Sequence, residues 1–184
     1  MADTLPLRNE VSDEITWDIS ALFSSDEAFY QTLEKTTAAA KTFNENYVHQ
    51  LDNSTIIEKA LAIYSDILIE LDKMANYAEL RLSVDTTNEQ AQTLSAKFSN
   101  TFGKIASELS FVESEILALS DETFKRFIST SEYPHFLEKL KARKPYQLNP
   151  EVEKTLASLS SVFERPFELY GITKMLDIDF DSFE

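Results

Sequence analysis

Residues 55–84 read TIIEKALAIYSDILIELDKMANYAELRLSV, and the spacing inside that stretch decides the fold. Ile57, Leu61, Tyr64, Leu68, Leu71, Ala75, Ala78 and Leu82 recur at gaps of four and three, which keeps apolar side chains on one face of an α-helix. Ile56, Ala60, Ile63, Ile67, Met74 and Tyr77 form a second stripe beside the first. A helix apolar over so much of its circumference is expected to sit centrally, touched on two sides. Thr55 and Glu58 have capping-box spacing after the turn signal Asn53 and Ser54, and Asp85, Thr86 and Thr87 end the pattern.

The flanking stretches repeat this design. Upstream, residues 24–52 carry Phe29, Leu33, Ala40, Phe43 and Tyr47 at helical spacing, with Thr36 continuing the stripe and Ser24 and Glu27 as a capping box. Downstream, Thr86 and Glu89 suggest a third cap, followed by Ala91, Leu94, Phe98, Phe102, Ile105, Leu109, Val112, Ile116 and Leu119 on one long helix. Gly103 inside it costs about 1 kcal/mol against alanine, so it is expected to permit close helix contact or a bend. Helices of about 30 residues span roughly 45 Å, and very short links make neighbours antiparallel.

From Ser120 the segments shorten. One helix should begin there with Phe124, Phe127 and Ile128, and another near Tyr133 with Phe136, Leu137 and Leu140. Asn149 and Pro150 read as the cap and first turn of a helix carrying Val152, Leu156, Leu159 and Phe163, which Pro166 is expected to interrupt or kink. In Leu176 to Glu184, alternation of Ile178, Phe180 and Phe183 with aspartates reads as an unpaired strand. The expectation is an all-α fold: an antiparallel bundle of three long helices over residues 1–120, then a subdomain of several shorter helices over 121–184, packed on it.

Composition agrees. The chain is 43% hydrophobic, 11% aromatic and 27% charged, which is the profile of a folding domain. It has 2 glycines where an average sequence has about 7%, leaving little provision for tight turns of positive φ. The net charge of −15 repels phosphate backbones and argues against nucleic acid as a partner. Residues 1–120 hold 8 basic and 20 acidic side chains, an imbalance that would attract cationic peptides if it served more than solubility. The absence of cysteine fits a reducing compartment, and no stretch has the length of a signal peptide or membrane span. A cytoplasmic protein that does not enter membranes is expected.

The chain offers little chemistry of its own. His49 and His135 lie on different segments, and neither forms a His-Glu-x-x-His pair, so no metal site is expected. Glu113 with Glu115, and Glu70 with Asp72, stand two residues apart and do not face each other on a helix. There is no glycine-rich phosphate loop and no Gly-x-Ser-x-Gly elbow. Lys139, Lys141, Arg143 and Lys144 form one basic cluster, read as complementing a helix C-terminus in preference to binding an anion. Trp17, in the apolar stretch Ile15 to Phe23, is expected to dock on the core. No catalytic, cofactor-binding or metal-ligating residue is assigned.

Leu5-Pro6-Leu7-Arg8 leading to Thr16-Trp17-Asp18-Ile19 and Leu22-Phe23 resembles the opening of oligoendopeptidase F, a thimet-oligopeptidase-like zinc peptidase. Further segments continue the likeness in order: Ser83-Val84-Asp85-Thr86-Thr87, Leu109-Ser110-Phe111, Glu115-Ile116-Leu117 and Tyr133-Pro134-His135-Phe136-Leu137-Glu138. Lys144-Pro145-Tyr146-Gln147-Leu148-Asn149, Glu153-Lys154-Thr155-Leu156-Ala157 and Asp179-Phe180-Asp181-Ser182-Phe183-Glu184 complete it.

The resemblance implies the amino-terminal lobe of an intracellular zinc endopeptidase that takes short oligopeptides into a channel. Zinc and the general base then belong to a carboxy-terminal catalytic lobe, and this chain alone is expected to be inert, to hold no zinc and to self-associate through apolar surface that lobe would cover. A stand-alone helical module binding a partner helix or peptide is the alternative, and a His-Glu-x-x-His motif encoded downstream would decide against it.

Overall fold

Side-chain caps mark where each helix starts. In the computed structural model, which describes residues 10–146, 148, 152, 155–156 and 159–174, α1 (Asp26–Tyr47) begins where Ser25 Oγ accepts the Ala28 amide at 3.1 Å. The cap is Ser25, one residue after the expected Ser24. The helix closes at Tyr47, short of residue 52, because Val48 leaves the helical region and His49 adopts φ 63°.

Helix α2 (Ser54–Val84) is capped by Asn53, whose side chain accepts from the Ile56 amide at 3.1 Å. The Thr55 and Glu58 box does not form. Glu58 instead accepts from Ser131 Oγ at 2.8 Å and from the Glu132 amide at 2.6 Å, a distant use that local spacing cannot reveal. Helix α3 (Glu89–Leu109) is capped by Asn88 in place of Thr86, its Oδ1 accepting from the Ala91 amide at 2.9 Å.

The expected third helix through Leu119 is two helices. Both the amide and the Oγ of Ser110 donate to the Ser107 carbonyl, at 3.4 and 2.9 Å, and this local competition separates α3 from α4 (Phe111–Leu117). Ser120 opens α5 (Asp121–Thr130) as expected, and α6 (Pro134–Arg143) starts on a proline, where a missing amide costs nothing. Helix α7 (Ser160–Ile172) runs on through Pro166, so of the expected interruption or kink the interruption does not occur. Short 3-10 turns occupy Asp13–Ile15, Ile19–Ala21 and Lys144–Tyr146. There is no strand among the described residues; Leu176 to Glu184 and the Asn149-Pro150 start lie outside them.

The chain divides into two units, the larger Pro6–Ala142 and the smaller made of Met1–Leu5 and Arg143–Glu184. Within the larger, α1, α2 and α3 each pack against the other two, so α2 is not a hub between partners that stay apart. Their directions follow from named contacts. Asp26, at the start of α1, meets Tyr77 and Arg81 near the end of α2, so these helices are antiparallel. Asn44, near the end of α1, donates to the Glu108 carbonyl at the end of α3 at 2.8 Å, so α1 and α3 run together, both opposite to α2.

Apolar side chains from all six helices α1 to α6 fill one core. Phe29 is fully buried, against Phe23 and Tyr77 at 5.6 Å each and Phe98 at 6.3 Å. At the other end Phe43 meets Phe111 at 5.5 Å and Tyr64 at 6.4 Å, and Tyr64 meets Phe136 of α6 at 6.1 Å. Burying one such side chain is worth roughly 1.5–3 kcal/mol. The stripes read from the sequence are mostly buried, but Ile63, Leu68 and Phe102 are exposed.

Gly103 is exposed, and a Cβ there would meet nothing within 4 Å, so close helix contact does not explain it. The break comes at Ser110 instead. Gly103→Ala should therefore stabilise the fold by about 0.5–1 kcal/mol, raising the urea midpoint with the slope unchanged. A lower midpoint would show that the site is not open.

Candidate functional site

A cavity of about 620 Å³ opens in the larger unit where the segment before α1 crosses the end of α2 and the start of α3. Ile15, Trp17 and Ile19 form one side; Leu80, Arg81 and Val84 form the other, with Asp85 at the link into α3. Its volume falls in the range of ordinary ligand sites, and most of these side chains are apolar.

Trp17 does not dock on the core. It is 92% exposed, and Ile15 beside it is 78% exposed. The reason is local. Asp18 Oδ1 accepts from the Ser20 amide at 2.9 Å and from Ser20 Oγ at 2.6 Å, fixing the turn Ile19–Ala21, and it is Phe23 that reaches the core, with Tyr77 at 5.3 Å. The two hydrogen bonds from Ser20, the side-chain one first, hold the Asp18 carboxyl below the ordinary carboxylate range. Asp85 behaves alike: its Oδ1 accepts from Thr87 Oγ1 at 2.7 Å and from the Thr87 amide at 2.9 Å, and those bonds lower its pKa. Both carboxylates face water in ionised form.

The deeper polar group is a trio that the sequence does not announce. Tyr77 donates its hydroxyl to Asp26 Oδ1 at 2.8 Å, and Arg81 Nη1 reaches the same oxygen at 3.0 Å. The Arg81 guanidinium also sits 5.8 Å from the centre of the Tyr77 ring. Tyr77 and Arg81 share a face of α2 at four-residue spacing, which was the one legible sign; Asp26 lies 51 residues away. The trio clamps α1 to α2 and neutralises Arg81, leaving Asp85 as the unpaired charge of the cavity lining among the described residues.

The residues considered from the sequence are dispersed. His49 is exposed on the turn after α1, its amide donating to Glu115 Oε1 at 2.8 Å and its Nδ1 3.5 Å from that oxygen. His135 is exposed on α6. Glu115 closes a turn, since its Oε2 also accepts the Leu51 amide at 3.4 Å. Glu70 pairs with Lys73 at 2.8 Å, and Asp72 is exposed. Lys139, Lys141 and Arg143 lie in the second half of α6 and Lys144 in the turn after it. Among the described residues no three His, Asp or Glu side chains gather as a metal would need, so these residues do not fit a zinc site. No described helix is long and apolar enough to cross a membrane.

Comparison with known proteins gives a consistent relationship. A family model described as Oligopeptidase F matches residues 115–180. Group B oligopeptidase PepB of Streptococcus agalactiae is 28% identical over 177 residues, 94% of this chain and 30% of that protein. Oligopeptidase PepF of Bacillus subtilis is 27% identical over 185 residues, 98% of this chain and 28% of that protein. The crystal structure of oligoendopeptidase-F from Enterococcus faecium superposes with a TM-score of 0.63 at 22% identity, over 91% of this chain and 32% of that one. A Chlamydophila abortus crystal structure gives a TM-score of 0.68 at 24% identity, over 97% and 31%. The chain thus spans less than a third of the length of these relatives.

The Tyr77 phenol gives the site a measurable signature. Burial first, and then the hydrogen bond to Asp26, raise its pKa above the usual 10.0. A raised value means that folding favours the protonated phenol, so this stabilisation is complete below about pH 10 and disappears as pH rises through the folded value. Tyr77→Phe should cost about 1 kcal/mol at neutral pH and should flatten the alkaline fall in stability relative to wild type. Parallel denaturation curves across the alkaline range test this; identical alkaline slopes would contradict it.

Proposed function

We propose that this chain belongs to the oligoendopeptidase F family and forms the amino-terminal helical lobe of a cytoplasmic zinc endopeptidase acting on short oligopeptides. The carrying observation is one of proportion: the match runs through 94–98% of this chain and only 28–30% of the peptidases it resembles. Such a chain supplies one part of a larger machine.

In this reading the three long helices stand as one wall of a channel, limiting the size of peptide admitted. Zinc, the attacking water and the general base come from the carboxy-terminal lobe, and no residue of this chain is assigned to catalysis or to the metal. Exposed aromatic side chains on α7 support an incomplete surface: Phe163 and Tyr170 are largely uncovered and Phe167 is 81% exposed. In isolation the chain self-associates through such surface.

The test is direct. The isolated chain, incubated with zinc and internally quenched oligopeptides, should show no cleavage beyond the uncatalysed rate, and equilibrium dialysis should find no stoichiometric zinc. Chelator-sensitive turnover by this chain alone would overturn the assignment of chemistry to the other lobe.

A further inference from the structure

The cavity beside Trp17 has features that the wall role does not use. A tryptophan at 92% exposure and an isoleucine at 78% are costly to leave facing water, and here they line a depression instead of a flat surface. Leu80 and Val84, one turn apart on α2, are also exposed and line the opposite side. The arrangement offers apolar contact on two walls, as grooves that seat a peptide or helix do.

The uncompensated charge around it is acidic. Arg81 is committed to Asp26 at 3.0 Å, so it offers little net attraction to an anion. Asp85 lies in the lining without a cationic partner among the described residues, and exposed Glu14 and Asp18 alternate in sequence with Ile15, Trp17 and Ile19. The whole chain carries −15, so a second copy would approach this face against like charge. An anionic peptide would meet the same repulsion.

We propose that this groove is a docking site for a cationic, apolar segment of a partner polypeptide, its apolar side chains between Trp17 and the Leu80–Val84 face and its lysines or arginines beside Asp85, Asp18 and Glu14. Trp17 supplies the largest contact area and presents a ring face to a passing ammonium or guanidinium group. The site binds and does not cut. Its existence is independent of whether the parent is a peptidase, because its readout is occupancy and not cleavage.

Trp17 is the single tryptophan, so its emission reports this groove alone. Titrating the intact chain with a short blocked peptide alternating lysine with leucine should give a saturable blue shift. The glutamate-leucine counterpart should bind at least about tenfold more weakly, and added salt should erode the difference. Asp85→Asn, which keeps an oxygen to accept from Thr87, should lose several-fold of the preference while circular dichroism stays unchanged. An absent shift, or equal binding of both peptides, would overturn the proposal. So would a blue shift that grows with chain concentration before any peptide is added, since the occupant would then be a second copy.

Discussion

Three helices come to one point at Phe29, whose ring stands between Phe23 and Tyr77 and within 6.3 Å of Phe98. The arrangement of the larger unit depends on that meeting. Phe29 is on α1, Tyr77 on α2, Phe98 on α3, and Phe23 on the segment that precedes them, so one buried side chain fixes the register of four pieces of chain. Tyr77 also carries its hydroxyl to Asp26, at the first turn of α1. Shifting α2 along α1 by a turn would break a ring contact and a hydrogen bond together, which is how apolar packing and a polar clamp specify one arrangement.

A second constraint is the scarcity of glycine. With 2 glycines, neither of them in a left-handed conformation, the chain turns by other means. His49 alone takes positive φ among the described residues, and the turn it makes is held by both oxygens of Glu115. Glu58 does the same for the turn before α6. Each carboxylate reaches from one helix to a loop more than sixty residues away in sequence, so the short links are part of the tertiary structure. This makes the acidic composition partly structural, beyond its effect on solubility.

Those long-range uses mark the boundary of what the residues disclosed. Periodicity gave the helices and most of the core, because burial of a stripe is enforced by the whole length of a helix. Caps were read one to two residues away from their true positions, since Ser24 and Ser25, or Thr86 and Asn88, are chemically equivalent candidates separated only by where the packed helix must begin. The break at Ser110 stayed hidden for a similar reason: the apolar stripe continues across it through Val112 and Ile116, both buried. Trp17 was misplaced because composition said how apolar its segment is and not which ring the Asp18 turn would direct inward. The groove and the Asp26, Tyr77 and Arg81 trio needed coordinates, because their members come from separate elements.

The core is complete enough to hold six helices, while apolar side chains of the cavity and of α7 are left facing outward. The claim beneath all of this is that the long and short helices of the larger unit share one core and so fold as one body. Native-state hydrogen exchange tests it most directly. The account predicts that buried amides of α1, α2, α3, α5 and α6 exchange with a common free energy equal to that of global unfolding. Exchange in α5 and α6 at a distinctly lower free energy, with α1 to α3 still protected, would contradict it.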